Sequence, residues 1–419
     1  MAWSDRLLGV MGTLGLLAAC GLGGDTSRTE SLATSLSSRT AQDAAQAPLE
    51  PTPVLDLRDD RHTTPRPPPA AKPTFQPGFH QALRGSISTD GLTTFRLRLR
   101  LGRAGDRVRI TFRAGDGGLT LQRATIAQAG DDSGALASTP VPIAFHGTAG
   151  FSTEARTLVT SDPVAFPVTL SDEVIISFEA QGNVAASIID AFPGSFSRAG
   201  AFAMTQGPMG GAPWEKAVGV ATVDVEGPPG RAFVAIGDSI TEGYMSSHSD
   251  TRKAWPSLVE QQLGIPVVNS GVSGEGFWDA QLNLQQEVLS LEGVTDCIVL
   301  LGTNDLSSGL SVGELEDRMT RLLDSLEPFC RLWVGTLLPK EKTHYGDYGQ
   351  VKAQRHALNA WIRQLTRATV IDLEAVMRQP SNPDLFLPGL SVDGIHPSEQ
   401  GHQVMAAEVV RVLRAKGGL

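Results

Sequence analysis

The 419-residue sequence predicts an α/β domain with a mostly parallel sheet, preceded by an all-β sandwich domain of the jelly-roll kind. Two patterns of apolar residues along the sequence indicate these two fold classes. Between about residues 80 and 228, apolar and polar residues alternate with a period of two, which is typical of half-buried strands. From about residue 231, short apolar runs alternate with helical segments, and that alternation predicts βαβ units around a parallel sheet.

The composition bounds the class of protein. Hydrophobic residues make up 41% and charged residues 19% of the chain, which indicates a globular protein with a proper core. The formal net charge of −10 argues against a nucleic-acid partner, because a nucleic-acid-binding surface is basic. No run of about 18 apolar residues occurs, so no membrane-spanning helix is predicted.

Residues 1–20 have the architecture of a signal peptide: Arg6 is followed by an apolar stretch from Leu7 to Ala19. The ending Leu17-Ala18-Ala19-Cys20 resembles a bacterial lipobox. That resemblance implies cleavage before Cys20, attachment of two acyl chains and stable anchoring on the exported side of a bacterial membrane. The alternative is an ordinary secretory signal that contains a cysteine.

Residues 21–78 form the next segment, which is rich in Ser, Thr, Ala, Asp and Pro. Such a composition buries too little apolar surface to offset the entropy of the chain. We predict a disordered tether whose Pro-rich end is extended and semi-rigid.

Residues 79–228 are predicted to form the sandwich domain, and arginines alternate with apolar residues along two of its strands, from Phe95 to Leu101 and from Arg107 to Phe112. These arginines could form a binding stripe for an anionic polymer. A solvated sheet face, or charge that protects a sheet edge, is the favoured interpretation.

Residues 229–419 are predicted to form the α/β domain. In open α/β sheets, active sites lie beyond the carboxyl ends of the strands. That rule selects four loops with reactive or polar side chains: Gly237–Gly243, Asn269–Gly276, Gly302–Asp305, and the loop that leads to Asp393–His396.

Ser239, Asp393 and His396 are candidate catalytic residues in these loops. A serine hydroxyl is a weak nucleophile and needs an adjacent base. His396 can take the serine proton through one ring nitrogen, and Asp393, three residues earlier, can accept from the other. His344 lacks such a D-x-x-H partner, so His396 is the predicted base. The alternative is that Ser239 is an ordinary turn serine.

The four loops together resemble the SGNH (GDSL) hydrolases, whose sequence blocks carry Ser, Gly, Asn and His, with Asp three residues before the His. These positions are Ser239, Gly274, Asn304, His396 and Asp393. The resemblance implies a flavodoxin-like three-layer α/β/α fold and ester hydrolysis through an acyl-enzyme. It also implies an oxyanion hole made by the N–H groups of Ser239 and Gly274 and the Asn304 amide. No cofactor or metal is implied.

The family includes carbohydrate acetylesterases, lipases, lysophospholipases, thioesterases and arylesterases. A sandwich ahead of such a domain resembles secreted bacterial members that remove acetyl groups from polysaccharides, so short acyl esters of carbohydrate are the predicted substrates. Tyr244, Tyr345 and Tyr348 are candidate pocket residues, and the loop Pro339–Tyr348 is a candidate lid. The alternatives are a lipase or thioesterase, an O-acyltransferase with the same triad, and a carbohydrate-binding surface lipoprotein.

Cys297 and Cys330 each stand at the start of a predicted strand. Neighbouring strands would bring the two thiols together, and an exported protein can form a disulfide. Two buried free cysteines are the favoured alternative.

Overall fold

The computed structural model describes residues 74–189, 192–245 and 248–419, and these described residues form one compact unit. The predicted leader, Cys20 and most of the predicted tether lie outside the described residues. The tether was predicted to extend to residue 78, and this is wrong, because a strand begins at Thr74. The division of the remainder into two domains stays a prediction.

Antiparallel strands occupy residues 74–227, which we call the β-rich region. They are β1 (Thr74–His80), β2 (Gly85–Arg100), β3 (Gly105–Gln128), β4 (Val141–Ile143), β5 (Phe151–Thr153), β6 (Leu158–Thr160), β7 (Val164–Val168), β8 (Glu173–Ala186), β9 (Phe196–Ala199), β10 (Ala212–Pro213) and β11 (Val220–Gly227).

The β-rich region is organised by β3, which runs through two sets of strands. Its first half pairs with β11, β6 and β7, and its second half pairs with β8, β4 and β5. The path of paired strands is β1-β11-β3-β8-β2-β9-β10. Phe112 from the first half of β3 packs edge-on against Phe178 of β8, with ring centroids 5.3 Å apart. The two sets therefore enclose one apolar core, as the period-two pattern predicts.

The rest of the chain alternates strands and helices. The elements are β12 (Phe233–Gly237), α1 (Ser239–Glu242), α2 (Trp255–Leu263), β13 (Val267–Gly271), α3 (Phe277–Leu284), β14 (Asp296–Leu300), α4 (Val312–Leu326), β15 (Arg331–Gly335), α5 (Tyr348–Ile362), β16 (Thr369–Ile371), α6 (Leu373–Met377), β17 (Arg378–Gln379), β18 (Asn382–Phe386) and α7 (Glu399–Gly417).

Five parallel strands form the central sheet in the order β13-β12-β14-β15-β16. This is the flavodoxin-like order, whose switch point lies between the first and third strands of the sheet in sequence, here β12 and β14. Buried side chains of α3, α4 and α5 pack on one face, and those of α2, α6 and α7 pack on the other. The predicted three-layer α/β/α fold is confirmed.

The β-rich region covers the edge strand β13 of this sheet. Gln81, directly after β1, bridges in parallel to Asn269, and the Ala82 N–H donates to the Asn269 carbonyl at 3.3 Å. A buried ion pair between Arg113 and Glu287, 2.5 Å apart, adds to the contact. The edge of the parallel sheet is thereby closed by the chain's own β-rich region.

The five arginines that alternate with apolar residues from Phe95 to Leu101 and from Arg107 to Phe112 are engaged within the protein. Arg96 is fully buried and donates to the carbonyl groups of Gly134, Thr205 and Gly207, so it is no part of a solvated face. The others form ion pairs with acidic residues of neighbouring strands: Arg98 and Arg100 with Glu173, Arg107 with Glu226, and Arg109 with Asp224.

Cys297 and Cys330 form a disulfide, with Cα atoms 5.8 Å apart. The favoured interpretation as free cysteines is therefore wrong. The physical reason is the pairing of β14 with β15, in which Cys297 lies opposite Leu332 and thus beside the residues that open β15.

Candidate active site

Ser239 lies at the turn from β12 into α1, at the switch point of the sheet. The Asp238 carboxylate caps this short helix by accepting from the Ile240 N–H at 3.0 Å. Gly237 packs so closely here that a Cβ atom would lie 2.1 Å from the Thr241 hydroxyl oxygen. The tight turn places the serine at the carboxyl end of β12, where the topology predicts a site.

His396 and Asp393 continue from Ser239 in a hydrogen-bonded line. The Ser239 Oγ lies 3.0 Å from His396 Nε2, and His396 Nδ1 lies 2.7 Å from Asp393 Oδ2. The second carboxylate oxygen, Oδ1, accepts from the backbone N–H groups of Ile395 at 2.9 Å and His396 at 2.8 Å. One oxygen therefore orients the ring while the other folds the loop back on itself, which is what the D-x-x-H spacing allows.

The electrostatics keep His396 neutral and Asp393 ionised. Burial lowers the pKa of His396, the Asp393 carboxylate partly offsets this, and electrostatic repulsion from His344 and Lys340 lowers the pKa further. Burial acts to raise the pKa of Asp393, but the hydrogen bonds from the His396 ring and the backbone outweigh it and hold the pKa below its ordinary value. A neutral imidazole whose Nδ1–H donates to Asp393 leaves Nε2 free to accept the proton of Ser239.

Gly274 lies in a turn from Val272 to Glu275, which follows β13. The Glu275 N–H donates to the Val272 carbonyl at 3.2 Å, and Gly274 has φ +85°. A positive φ at the third turn position is what a type II turn requires, and glycine adopts it without strain. A Cβ atom at Gly274 would meet nothing within 4 Å, so conformation rather than space demands glycine.

Asn304 meets this turn from the neighbouring loop after β14. Its Nδ2 group donates to the Glu275 carbonyl at 2.9 Å. The Asp305 carboxylate accepts from the Phe277 N–H, which holds the same two loops together. The structure thus brings four predicted blocks to one edge of the sheet, and an amide group has a second N–H for another acceptor.

Comparison with known proteins agrees with this arrangement. Residues 235–404, which include Ser239, Gly274, Asn304, Asp393 and His396, match the GDSL-like Lipase/Acylhydrolase family. This C-terminal region is a GDSL-like lipase/acylhydrolase domain. The protein is therefore a carboxylic ester hydrolase.

Solved structures similar to the GDSL-like domain include three bacterial proteins. A lipolytic protein of the G-D-S-L family from Desulfitobacterium hafniense is 24% identical, over 44% of this chain and 99% of that one, with a TM-score of 0.38. A lipase/acylhydrolase from Enterococcus faecalis is 22% identical, over 45% and 97%, with a TM-score of 0.37. An acetylxylan esterase from Geobacillus stearothermophilus, as a catalytic mutant, is 19% identical, over 44% and 94%, with a TM-score of 0.36. No curated protein matches the sequence significantly.

The three candidate pocket tyrosines of the GDSL-like domain have different surroundings. The Tyr244 ring packs edge-on against the His396 ring, with centroids 4.5 Å apart. The Tyr348 hydroxyl donates to the Lys340 carbonyl at 2.7 Å, and the Tyr345 side chain is 76% exposed. Direct contact with the histidine therefore supports a role in the pocket most strongly for Tyr244.

The candidate lid loop, Pro339–Tyr348, lies near His396, since its residues Lys340 and His344 both lower the pKa of His396. The Glu341 N–H donates to the Gly394 carbonyl at 2.8 Å, which ties the loop to the segment that carries Asp393. The Ser239 Oγ lies 3.0 Å from His396 Nε2, so His396 is the histidine that the structure places beside this hydroxyl.

Sequence reasoning missed three buried residues beside the site. Lys340 Nζ donates to the Thr303 carbonyl at 2.8 Å, next to Asn304. His402 is kept neutral, because burial lowers its pKa to about 4. Its Nδ1 accepts from the Trp255 N–H, and its Nε2 lies 3.4 Å from the Tyr244 carbonyl oxygen. The Glu242 carboxylate accepts hydrogen bonds from three backbone N–H groups. Of the three, Glu242 alone has a signal in the sequence, because it stands three residues after Ser239 within the predicted site loop Gly237–Gly243.

The described part of the chain holds neither a three-ligand metal cluster nor a helix that could span a membrane. No cluster of three or more His, Cys, Asp or Glu side chains there could hold a metal ion. No described helix is both long enough and apolar enough to cross a membrane.

Proposed function

We propose that the protein is a serine esterase in which Ser239, His396 and Asp393 form the catalytic triad, and that its substrates are short acyl esters, such as O-acetyl groups on carbohydrate. The line from Ser239 Oγ through His396 to Asp393 carries the proposal, with distances of 3.0 Å and 2.7 Å.

In the first half of the reaction, Ser239 Oγ attacks the ester carbonyl carbon as its proton passes to His396 Nε2. The carbonyl oxygen becomes an oxyanion, and the bond to the alcohol then breaks as His396 returns the proton to the leaving oxygen. In the second half, water attacks the acyl-enzyme and gives its proton to His396, and the carboxylic acid leaves as Ser239 regains a proton.

The oxyanion would be stabilised by the N–H groups of Ser239 and Gly274 and by the Asn304 amide. Supporting this role, Asn304 is held against the Val272–Glu275 turn through the Glu275 carbonyl. The choice of an acetylated carbohydrate is supported by the β-rich region ahead of a GDSL-like domain and by the Tyr244 ring beside His396.

The test is a panel of p-nitrophenyl esters of increasing acyl length, together with acetylated xylan. We expect the wild type to prefer short esters and Ser239→Ala to lose at least about 10³-fold in kcat. Ser325→Ala on α4 is a matched control that should keep wild-type activity.

Wild-type activity in Ser239→Ala would contradict the assignment of the nucleophile. A preference for long acyl chains would favour a lipase, and acyl transfer to an added alcohol in excess of hydrolysis would favour an O-acyltransferase. Glycan binding with no ester cleavage would favour the carbohydrate-binding alternative.

We also propose export and lipid anchoring through Cys20, on the strength of the Leu17–Cys20 sequence. Two acyl chains hold a protein stably at a membrane, whereas one holds it only reversibly. Expressed in a bacterium, the wild type should sediment with membranes and Cys20→Ser should appear in the soluble fraction. Membrane fractionation that is unchanged in Cys20→Ser would contradict lipidation.

A further inference from the structure

Glu242 is a buried carboxylate that the proposed reaction does not use. Its residue is 1% exposed, and it lies three positions after Ser239 at the end of α1. A buried carboxylate is costly unless its oxygens are satisfied by donors. All the donors that the structure gives it are backbone N–H groups, and they come from two different parts of the fold.

One carboxylate oxygen of Glu242 is held by the β-rich region. The Ile188 N–H donates to Oε1 at 3.0 Å and the Ile189 N–H donates to the same oxygen at 3.3 Å. Lys216, also in the β-rich region, braces this segment by donating to the Ile188 carbonyl at 2.6 Å. The β-rich region therefore fixes one end of the carboxylate.

The other oxygen holds the turn that contains Gly274. The Ser273 N–H donates to Glu242 Oε2 at 2.6 Å. In a type II turn, the peptide between the second and third residues sets where the third residue's N–H points, and here those residues are Ser273 and Gly274. The Ser273 N–H lies in the preceding peptide, between Val272 and Ser273, so this hydrogen bond anchors the first half of the turn from which the Gly274 N–H projects.

We propose that Glu242 is a positioning residue: its carboxylate clamps the Val272–Glu275 turn to the Ile188–Ile189 segment, so that the β-rich region forms part of the apparatus that stabilises the oxyanion. This rests on the proposed function, because the turn matters only if its N–H group meets an oxyanion. The β-rich region then acts in catalysis even where it touches no substrate.

Glu242→Gln is the direct test. A glutamine has one accepting oxygen and one donating NH₂ group, so one side of the clamp must place a donor against an N–H. We expect kcat/KM for p-nitrophenyl acetate to fall by about 10- to 100-fold, below the loss seen when a whole oxyanion donor is removed. The inhibition constant of phenylboronic acid, whose serine adduct places an oxygen in the oxyanion hole, should rise by a similar factor.

Glu260→Gln is a matched control. Glu260 on α2 is a partly buried glutamate at the contact with the β-rich region, and burial raises its pKa as it does that of Glu242, but it accepts from the Val267 N–H at the opposite, amino end of β13. Its variant should keep kcat/KM and boronate affinity within about twofold. Equal losses in both variants, or no loss in Glu242→Gln, would overturn the proposal, whereas an active Ser239→Ala would remove the proposed function instead.

Ser273→Pro tests the same hydrogen bond from the other side, should Glu242→Gln fold poorly. Proline is common at the second position of a type II turn but has no N–H, and its ring would displace the carboxylate. We expect a loss of the same order. The double variant should lose no more than the larger single loss, since both changes break one interaction. Additive losses would overturn the proposal.

The pH profile supplies a readout that a merely structural residue would not change. Burial raises the pKa of Glu242 to about 7, although its three N–H donors and the positive charge of Lys216 act to lower it. Protonation turns one oxygen into a donor and opens the clamp. Asp238, whose pKa burial also raises to about 7, caps α1 by accepting from the Ile240 N–H, and a protonated carboxyl keeps an oxygen that can still accept this bond.

Wild-type kcat/KM should therefore fall as the pH drops through about 7. In Glu242→Gln the remaining activity should fall only at lower pH, below 6.5, as His396 becomes protonated. The ratio of wild-type kcat/KM to that of Glu242→Gln should therefore decrease from pH 8 to pH 6. If kcat/KM fell at the same pH in both enzymes, the proposal that Glu242 acts as a clamp would be overturned.

Discussion

At the scale of single residues, Asp393 shows how one carboxylate can serve two purposes. Its Oδ1 accepts from two backbone N–H groups and its Oδ2 from the His396 ring. The D-x-x-H spacing let the sequence predict this arrangement, because both partners lie within one short loop. Lys340 and His402 could not be predicted, because the Thr303 and Tyr244 carbonyls that they meet come from distant loops.

The double role of Asp393 makes Asp393→Asn a sharp test of the tautomer. The asparagine oxygen should stay with the two N–H donors of the loop, which turns its NH₂ group toward His396 Nδ1. His396 would then carry its proton on Nε2 and could not accept one from Ser239. We expect kcat to fall by about 10³- to 10⁴-fold. Esterase assays of Asp393→Asn beside Asp317→Asn, an exposed control on α4, would check this; more than a tenth of wild-type activity would contradict the tautomer argument.

At the scale of elements, local signals predicted the GDSL-like domain well. Short apolar runs marked the buried strands, and the rule that sites lie at the carboxyl ends of parallel strands selected the loops that the structure brings together. The start of β1 was missed because Thr74–His80 follows a Pro-rich segment and contains Pro77. What makes it a strand is pairing with β11, far along the chain.

Partners that lie far apart along the chain also explain two other errors at the scale of elements. The disulfide depends on β14 lying beside β15, and the sequence alone left that pairing open. Arg96 was grouped with its neighbours as solvated, yet three carbonyl groups from loops after β3 and β9 enclose it. Alternation predicts the face of a side chain, but whether a loop covers that face is a long-range property.

At the scale of the whole molecule, the contact between the β-rich region and the GDSL-like domain holds three glutamates whose pKa values are raised by burial. Burial raises the pKa of Glu242 and of Glu260 to about 7, and it also raises the pKa of Glu287, which pairs with Arg113. Gly102 of the β-rich region approaches Glu260 so closely that a Cβ atom there would lie 2.2 Å from its Oε2. The stability of this contact should therefore depend on pH.

The sign of that dependence follows from linkage for Glu260. Its folded pKa, about 7, lies above its ordinary value of 4.5, so the folded state binds the proton more tightly than the unfolded state does. The stabilisation is fully present below pH 4.5 and is lost as the pH rises through about 7. Other groups titrate as well, His80 and His402 in the opposite sense, so the difference between wild type and Glu260→Gln isolates this carboxyl.

We therefore expect the Tm of the wild type, measured relative to that of Glu260→Gln, to fall as the pH rises from 5 to 8. Glutamine keeps an oxygen for the Val267 N–H and has no charge to bury, so the variant should be the more stable protein at pH 8. Scanning calorimetry of both proteins across this range would measure the difference. A Tm difference that stays constant, or that grows in favour of the wild type with rising pH, would mean that water reaches Glu260 and that the two regions are packed less tightly than the close approach at Gly102 implies.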